Sequence, residues 1–119
     1  MSVVVRRNHH RQVRVANELR RRLQILSQVS IHDNMVRKGR ISRVEVSRDL
    51  SHAKVYVLAQ DAEVDCDALV YAYQALRVRF QSLLATQWVL KKLPRLKFYY
   101  DEDTQYARKM YQLLAENSD

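Results

Sequence analysis

The chain has 119 residues, of which 29% are charged and 47% hydrophobic, and its net charge is +8. This size and composition indicate one globular domain and exclude both a disordered chain and one with two separate cores. A single cysteine cannot form an intrachain disulfide, and no apolar run approaches the roughly 20 residues of a membrane span. We therefore expect a soluble, cytoplasmic protein.

The positive charge is concentrated in the first part of the chain. Residues 1–48 carry twelve Arg and Lys against three acids, a balance of +9, whereas residues 49–119 carry nine against ten, a balance of −1. Within the second part, residues 77–97 contain six basic residues and no acid. A segregated basic surface on a small domain points first to nucleic acid and less to an anionic membrane. The alternative is a basic surface that is merely solvated.

The first predicted element is a helix over about residues 12–27, in which apolar residues at helical spacing form one buried stripe. The stripe consists of Val15, Leu19, Leu23 and Leu26. Arg14, Arg21 and Arg22 lie off the stripe and give the helix a positive outer face. Residues 1–11 are basic and are expected to form a flexible arm that could order on a polyanion, ahead of one folded domain over residues 12–115.

A basic loop and a β-hairpin are predicted next. Residues 30–40 contain Asp33, Asn34 and Gly39 and predict a loop. Residues 43–47 and 53–58 alternate β-branched and polar side chains, which is typical of half-buried strands. In the turn between them, the Asp49 side chain is expected to accept a backbone hydrogen bond. The basic residues of this region are Arg37, Lys38, Arg40, Arg43 and Arg48.

The middle of the chain predicts two helices from one long periodic stretch. Asp65 or Asp67 is expected to cap the first of them. Helical periodicity then continues through residues 68–92 without Gly or Pro, and a straight rod of that length, about 38 Å, would overhang the domain. We therefore predict a bend between Ala72 and Arg79. The basic residues of this stretch are Arg77, Arg79, Lys91 and Lys92.

The last part of the chain predicts a third strand and a terminal helix. Pro94 ends the helical stretch, and residues 95–100 alternate apolar and polar side chains. A helix is expected over about residues 104–115, where Tyr106, Met110 and Leu113 or Leu114 could pack back on the body. The order α-β-β-α-α-β, with one three-stranded sheet and a C-terminal helix, predicts a single α+β domain. This order matches the type II KH arrangement, an RNA-binding fold.

Three blocks of sequence are informative beyond their secondary structure. The most specific block is VEVSRDL at residues 44–50 followed by AKVYV at residues 53–57. The supporting blocks are Arg14-Val15-Ala16 and PRLKF at residues 94–98, followed by Asp101. Together these blocks resemble the ribosome-binding factor A family of bacterial small-subunit maturation factors, and the resemblance spans about residues 12–101.

The resemblance implies a KH-like fold in which an Ala-x-Gly kink joins the two central helices in place of a Gly-x-x-Gly loop. Counted forward from Ala68, the motif falls on Ala72-Tyr73-Gln74. Counted back from Pro94, it falls on Leu76-Arg77-Val78. The glycine is missing in both placements, and glycine is the residue that lets backbone approach backbone or phosphate closely.

The function implied by the resemblance is ribosome biogenesis. Such a protein binds the immature small (30S) ribosomal subunit and its rRNA, assists late maturation and rRNA processing, and has no membrane partner. We expect a monomer that docks electrostatically on rRNA phosphates. The candidate contacts are Arg14, Arg21, Arg22, Arg37, Lys38, Arg40, Arg43, Arg48, Arg77, Arg79, Lys91 and Lys92. The alternatives are a generic KH-type nucleic-acid-binding protein not dedicated to the ribosome, and a protein–protein adapter.

The chemistry-bearing residues predict no enzyme, no metal site and no cofactor. The four histidines have neither i,i+4 pairing nor a carboxylate at ligand spacing. Cys66 is flanked by acids, which disfavour a thiolate, and one glycine cannot build a phosphate-binding loop. Three tyrosines are predicted on outer faces, where they could stack on bases. They are Tyr56, Tyr73 and Tyr99.

Overall fold

The computed structural model describes residues 2–88, 90 and 92–117, the first eight of these by their backbone alone. The elements are α1 (Ser2–Val29), α2 (Asn34–Arg37), β1 (Gly39–Val46), β2 (His52–Ala59), α3 (Cys66–Ala75), α4 (Arg77–Gln87), β3 (Arg95–Tyr100) and α5 (Glu102–Glu116). The predicted α+β order is confirmed, with the short helix α2 added before the first strand. None of the helices in the described ranges is long and apolar enough to cross a membrane.

The three strands form one sheet in the order β1-β2-β3. β1 and β2 pair antiparallel, with Val44 opposite Val55, and β2 and β3 pair parallel, with Val55 opposite Phe98. Alternate side chains of all three strands therefore point to one face, where they meet the buried sides of α1, α3 and α4 in one core. The predicted stripe of α1 is confirmed, since Leu19 and Leu23 are fully buried.

The crossover helix is broken at Leu76, inside the predicted window. Leu76 has φ −97° and ψ 12°, and its N–H donates to the carbonyl of Tyr73 at 3.1 Å. This conformation has a negative φ that a residue with a side chain adopts readily, so the break needs no glycine. The break falls on the first residue of Leu76-Arg77-Val78, whereas Ala72-Tyr73-Gln74 lies inside α3.

Three predicted boundaries were wrong. α1 begins at Ser2 rather than about residue 12, because neither Gly nor Pro interrupts it; the polyanion-binding role of residues 1–11 stays a prediction. The predicted loop over residues 30–40 contains the short helix α2, which Asp33 caps by accepting from the N–H of Val36 at 3.0 Å. α4 ends at Gln87 rather than residue 92, since Trp88 is already extended, with φ −83° and ψ 117°.

The predicted packing of the C-terminal helix was also wrong. Asp101 caps α5 by accepting from the N–H of Thr104 at 3.1 Å, but no described residue of α5 is buried. Tyr106 and Leu114 are each 66% exposed, and Met110 is 39% exposed. The core face of the sheet is already covered by α1, α3 and α4, so no apolar surface remains there for a fourth helix.

The one glycine lets the start of β1 approach α3. A Cβ at Gly39 would lie 2.8 Å from Cδ1 of Leu69 and 3.3 Å from the carbonyl oxygen of Leu58. Leu69 is fully buried, so its side chain cannot swing away without disturbing its neighbours in the core.

We therefore expect Gly39→Ala to lower the free energy of unfolding by about 1–3 kcal/mol, as overpacking does. Chemical denaturation of Gly39→Ala, Leu69→Ala and the double variant measures this effect. Because Leu69→Ala removes the clashing carbons, the double variant should lose less stability than the two single losses added together. Simple additivity would show that Gly39 and Leu69 do not press on each other.

Candidate nucleic-acid interface

The topology of the sheet places the two acidic segments of the chain at one end. β2 and β3 are parallel, so both strands finish at the same end of the sheet. The acidic segments at residues 61–67 and 101–103 follow these strands directly and therefore lie at that end. The hairpin turn and the start of β3 lie at the opposite end, where the N–H of Arg95 donates to the carbonyl of Ser51 at 2.8 Å.

Helix α1 brings further cations to the hairpin-turn end. It runs antiparallel to β1, because Gln12 Nε2 donates to the carbonyl of Val46 at 2.9 Å, while Gln24 Oε1 accepts from the N–H of Ile41 at 2.7 Å. Eight cations line the cavities at this end, which we call the basic end of the sheet. They are Arg11, Arg14, Arg48, Lys54, Arg77, Lys92, Arg95 and Lys97.

Asp49 also lines two of these cavities, but its carboxylate is hydrogen-bonded within the hairpin turn. Its Oδ1 accepts from Ser51 Oγ at 2.6 Å, from Ser47 Oγ at 2.8 Å and from the N–H of Ser51 at 3.1 Å. Hydrogen bonds from Ser51 and Ser47 hold the pKa of this carboxyl well below its usual range. The predicted capping of the turn is confirmed, and among the described residues no basic side chain forms a salt bridge with Asp49.

A groove of about 540 Å³ runs along the free edge of β3. Gln74 Oε1 accepts from the N–H of Phe98 at 2.9 Å and Gln81 Oε1 from that of Leu96 at 3.3 Å, so side chains from both sides of the helix break cover the strand edge. Within the described residues, Arg77 and Lys97 line this groove without an acidic partner. The groove thus offers uncompensated positive charge on a rigid wall.

A second cavity of about 430 Å³ lies between α1 and the hairpin turn. Arg11, Arg14 and Lys92 line it, together with the apolar side chains of Val15 and Leu50. Both cavities open at the basic end of the sheet. A polyanion lying across this end therefore meets cations from α1, the hairpin, α4 and β3.

Four of the predicted contacts lie at the basic end: Arg14, Arg48, Arg77 and Lys92. Arg79 is exposed on α4 outside these cavities. Lys91 lies outside the described residues. Arg37, Lys38 and Arg40 are at the far end, because β1 is antiparallel and Arg40 pairs with Leu58.

Three predicted contacts already have acidic partners within the protein. Glu18 Oε1 accepts from Arg22 Nε at 2.6 Å and from Arg21 Nη2 at 2.8 Å, and hydrogen bonds from Arg22 and Arg21 lower the pKa of Glu18. Arg43 lies 2.6 Å from Glu45 and 3.3 Å from Asp101. Whether these arginines contact RNA stays a prediction.

Four cations of the basic end were not among the predicted contacts: Arg11, Lys54, Arg95 and Lys97. The strand alternation in residues 95–100 already pointed Arg95 and Lys97 away from the core. Their grouping with Lys54 depends on the β2–β3 register, which places Lys54 opposite Lys97. No local pattern in the sequence specifies that register.

The prediction for Tyr73 was wrong, since its ring is fully buried. Its hydroxyl donates to the carbonyl of Val36 at 3.0 Å, and burial raises the pKa of Tyr73 to about 12. Tyr56 and Tyr99 do lie on the outer face of the sheet, half-buried and side by side. Within the described residues, no three His, Cys, Asp or Glu side chains lie close enough to hold a metal ion.

A buried carboxylate joins the end of β3 to the outer side of β1. Asp101 is fully buried, and its Oδ2 accepts from Ser42 Oγ at 2.6 Å, Thr104 Oγ1 at 2.8 Å and Arg43 Nε at 3.3 Å. Burial alone would raise the pKa of Asp101, but the hydrogen bonds from Ser42 and Thr104, with the charge of Arg43, outweigh it and lower that pKa. The ionised carboxylate fixes the position of Arg43.

Asp101→Asn is expected to lower the free energy of unfolding at pH 7 by about 1.5–3 kcal/mol, the range for hydrogen bonds to charged groups. Because the pKa of Asp101 is lowered in the folded state, its contribution is complete above the unfolded value of about 3.9 and is lost as the pH falls through the folded value. Urea denaturation from pH 7 to pH 3 should show the two proteins converging in acid.

Asp103→Asn provides the matched control, since Asp103 is 91% exposed and lies 3.4 Å from Arg43. Its loss should stay within about 0.5 kcal/mol. Equal losses for the two variants would contradict the role given to Asp101.

The fold and its surface define a KH-like α+β domain with eight cations grouped at one end of the sheet. A sequence model of the family described as ribosome-binding factor A matches residues 11–114. The chain belongs to the ribosome-binding factor A family.

Relatives and solved structures agree with this assignment. The chain is 32% identical over 113 residues to ribosome-binding factor A of Xanthomonas axonopodis pv. citri, covering 95% of this chain and 86% of that protein. The crystal structure of ribosome-binding factor A from Thermus thermophilus is similar with a TM-score of 0.65 at 26% identity, over 75% of this chain and 94% of that one.

A second Thermus thermophilus structure matches with a TM-score of 0.58 at 27% identity, over 71% of this chain and 88% of that one. Its coordinates are described as a homology model of ribosome-binding factor A fitted into the cryo-EM map of a complex with the 30S subunit.

Proposed function

We propose that this protein is a cytoplasmic ribosome-biogenesis factor that binds the immature small ribosomal subunit as a monomer and assists late maturation and processing of its rRNA. Family membership supports this function, as does the Thermus thermophilus relative whose coordinates were fitted into a map of a 30S complex. The observation that carries the proposal for this chain is the gathering of eight cations at the basic end of the sheet.

The mechanism is electrostatic docking on rRNA phosphates. Arg77 and Lys97 line the groove without an acidic partner among the described residues, so their charge is free to neutralise phosphate. The acidic segments at the opposite end repel a polyanion and so favour docking through the basic end. Because the groove wall is held by Gln74 and Gln81, the protein can hold one rRNA arrangement without refolding itself.

Charge reversal at the basic end tests this mechanism. Arg95→Glu with Lys97→Glu should weaken binding to purified small subunits by about 10²-fold or more, since each substitution removes one charge-assisted contact to phosphate. For the unmodified protein, six to ten phosphate contacts imply a loss of about 10³–10⁵ in affinity between 50 and 200 mM salt. The variant should lower the slope of log affinity against log salt by about 2.

The matched control is Arg108→Glu with Lys109→Glu on exposed helix α5, which changes the net charge by the same amount. It should keep affinity within about threefold, because the basic end is untouched. Equal losses for both double variants, or salt-independent binding of the unmodified protein, would refute docking through the basic end.

Depletion of the protein from its cells should accumulate small-subunit rRNA precursor with unprocessed ends, measured by primer extension. In sucrose gradients, the protein should migrate with free small subunits. The unmodified gene and the Arg108→Glu, Lys109→Glu variant should restore processing, whereas the Arg95→Glu, Lys97→Glu variant should not. A generic KH-type nucleic-acid-binding protein would instead be absent from the ribosomal fractions, and its depletion would leave the precursor unchanged.

A further inference from the structure

The outer face of the sheet, which points away from α1, α3 and α4, carries an ordered row of aromatic and basic side chains. The registers place Arg43 opposite Tyr56 and Tyr56 opposite Tyr99, so the three residues cross the strands in one line. The ring centroids of Tyr56 and Tyr99 are 5.8 Å apart, with planes inclined by 31°. In the next row, Lys54 lies opposite Lys97, and both are exposed.

The first ring of this row is held in place from one side. The guanidinium of Arg43 lies 3.9 Å from the centroid of Tyr56, and Tyr56 donates its hydroxyl hydrogen to Glu45 Oε2 at 3.3 Å. Arg43 is itself fixed by the buried carboxylate of Asp101. Binding of a ligand to Tyr56 therefore costs little further side-chain conformational entropy.

The second ring, that of Tyr99, lies near two cations. The ammonium groups of Lys97 and Lys54 lie 5.4 Å and 6.0 Å from the centroid of Tyr99. Tyr99, Lys54 and Lys97 also line the groove along the edge of β3, together with Arg77. The groove is therefore continuous with the tyrosine row, and a polyanion bound in the groove also contacts Tyr99.

We propose that Tyr99, supported by Tyr56, is a stacking site for an unpaired RNA base, whose flanking phosphates bind Lys54 and Lys97. An aromatic ring beside cations is the arrangement with which proteins bind single-stranded nucleic acid, because every base has a face that can stack. A duplex hides those faces in its own stack. The site therefore selects single-stranded segments, and it deepens the proposed function by naming the form of rRNA that is bound.

A protein partner fits this face less well. The tyrosines are bordered by Lys54 and Lys97 in the next row, with Glu45 as the acid of the same two rows. Protein interfaces are depleted in lysine at their centres, whereas phosphates require cations beside the stacked base. The charge around the rings thus favours RNA.

The experiment compares three RNA probes of one length, about eight nucleotides: a single strand, the same strand in a duplex, and an abasic single strand with phosphates but no bases. Fluorescence anisotropy measures each affinity, and tyrosine fluorescence reports stacking. The unmodified protein should bind the intact single strand about 5- to 100-fold more tightly than the abasic strand and should lose tyrosine emission only with the intact strand.

Substitutions locate this base-dependent part of binding. Tyr99→Leu should remove the difference between the intact and abasic strands without changing affinity for the abasic one, and Tyr99→Phe should keep the difference, since the ring remains. Tyr71→Leu is the matched control, because Tyr71 is 76% exposed on α3, away from the sheet. Thermal unfolding of each variant verifies the fold.

Equal affinity of the unmodified protein for intact and abasic strands would overturn the stacking site. It would also be overturned if Tyr99→Leu weakened binding to small subunits while leaving every RNA probe unaffected, which would indicate a protein partner. If the proposed function were wrong but the stacking site were right, the result would be different. The protein would then bind the intact strand more tightly than the abasic strand but would not bind purified small subunits.

Discussion

Parallel pairing of β2 with β3 obliges the chain to cross over the sheet between the two strands, since such strands cannot be joined by a tight turn. The crossover consists of α3 and α4, and it returns the chain to the end where β2 began. Both parallel strands therefore start at the hairpin turn and finish together at the far end. The acids that follow each strand gather at one end, and the cations around the strand starts gather at the other. The polarity of the surface is thus a consequence of strand direction.

The break at Leu76 makes this crossover compact. An unbroken helix over residues 66–87 would be about 33 Å long, whereas the two shorter helices fold against the sheet and share its core. Gln74 and Gln81, on either side of the break, reach the backbone of the same edge strand. The break also places Arg77 at the wall of the groove. The backbone at Leu76 has a negative φ and therefore does not require a glycine, and the Leu76 side chain packs against the core.

The two faces of the sheet differ because helices cover only the inner one. The inner face supplies the core, and Tyr73, Phe80 and Phe98 pack there with ring centroids 5.4–5.8 Å apart. The outer face keeps its charged and aromatic side chains, and the buried carboxylate at the end of β3 contacts one of them, Arg43. Asp101 thus caps α5 and fixes Arg43 with the same side chain.

What the sequence by itself determined was local: the alternation of the strands, the buried stripe of α1, the capping by Asp49, and the window of the helix break. Each depends on residues within one turn or one strand, so the signal is complete in a short stretch. Only the tertiary structure decided which cations meet, because Lys54 and Lys97 are far apart in the chain and join through strand register. It also decided that Tyr73 is buried and that α5 is exposed. Those outcomes depend on which surfaces the other elements have already covered, and no short stretch of sequence contains that information.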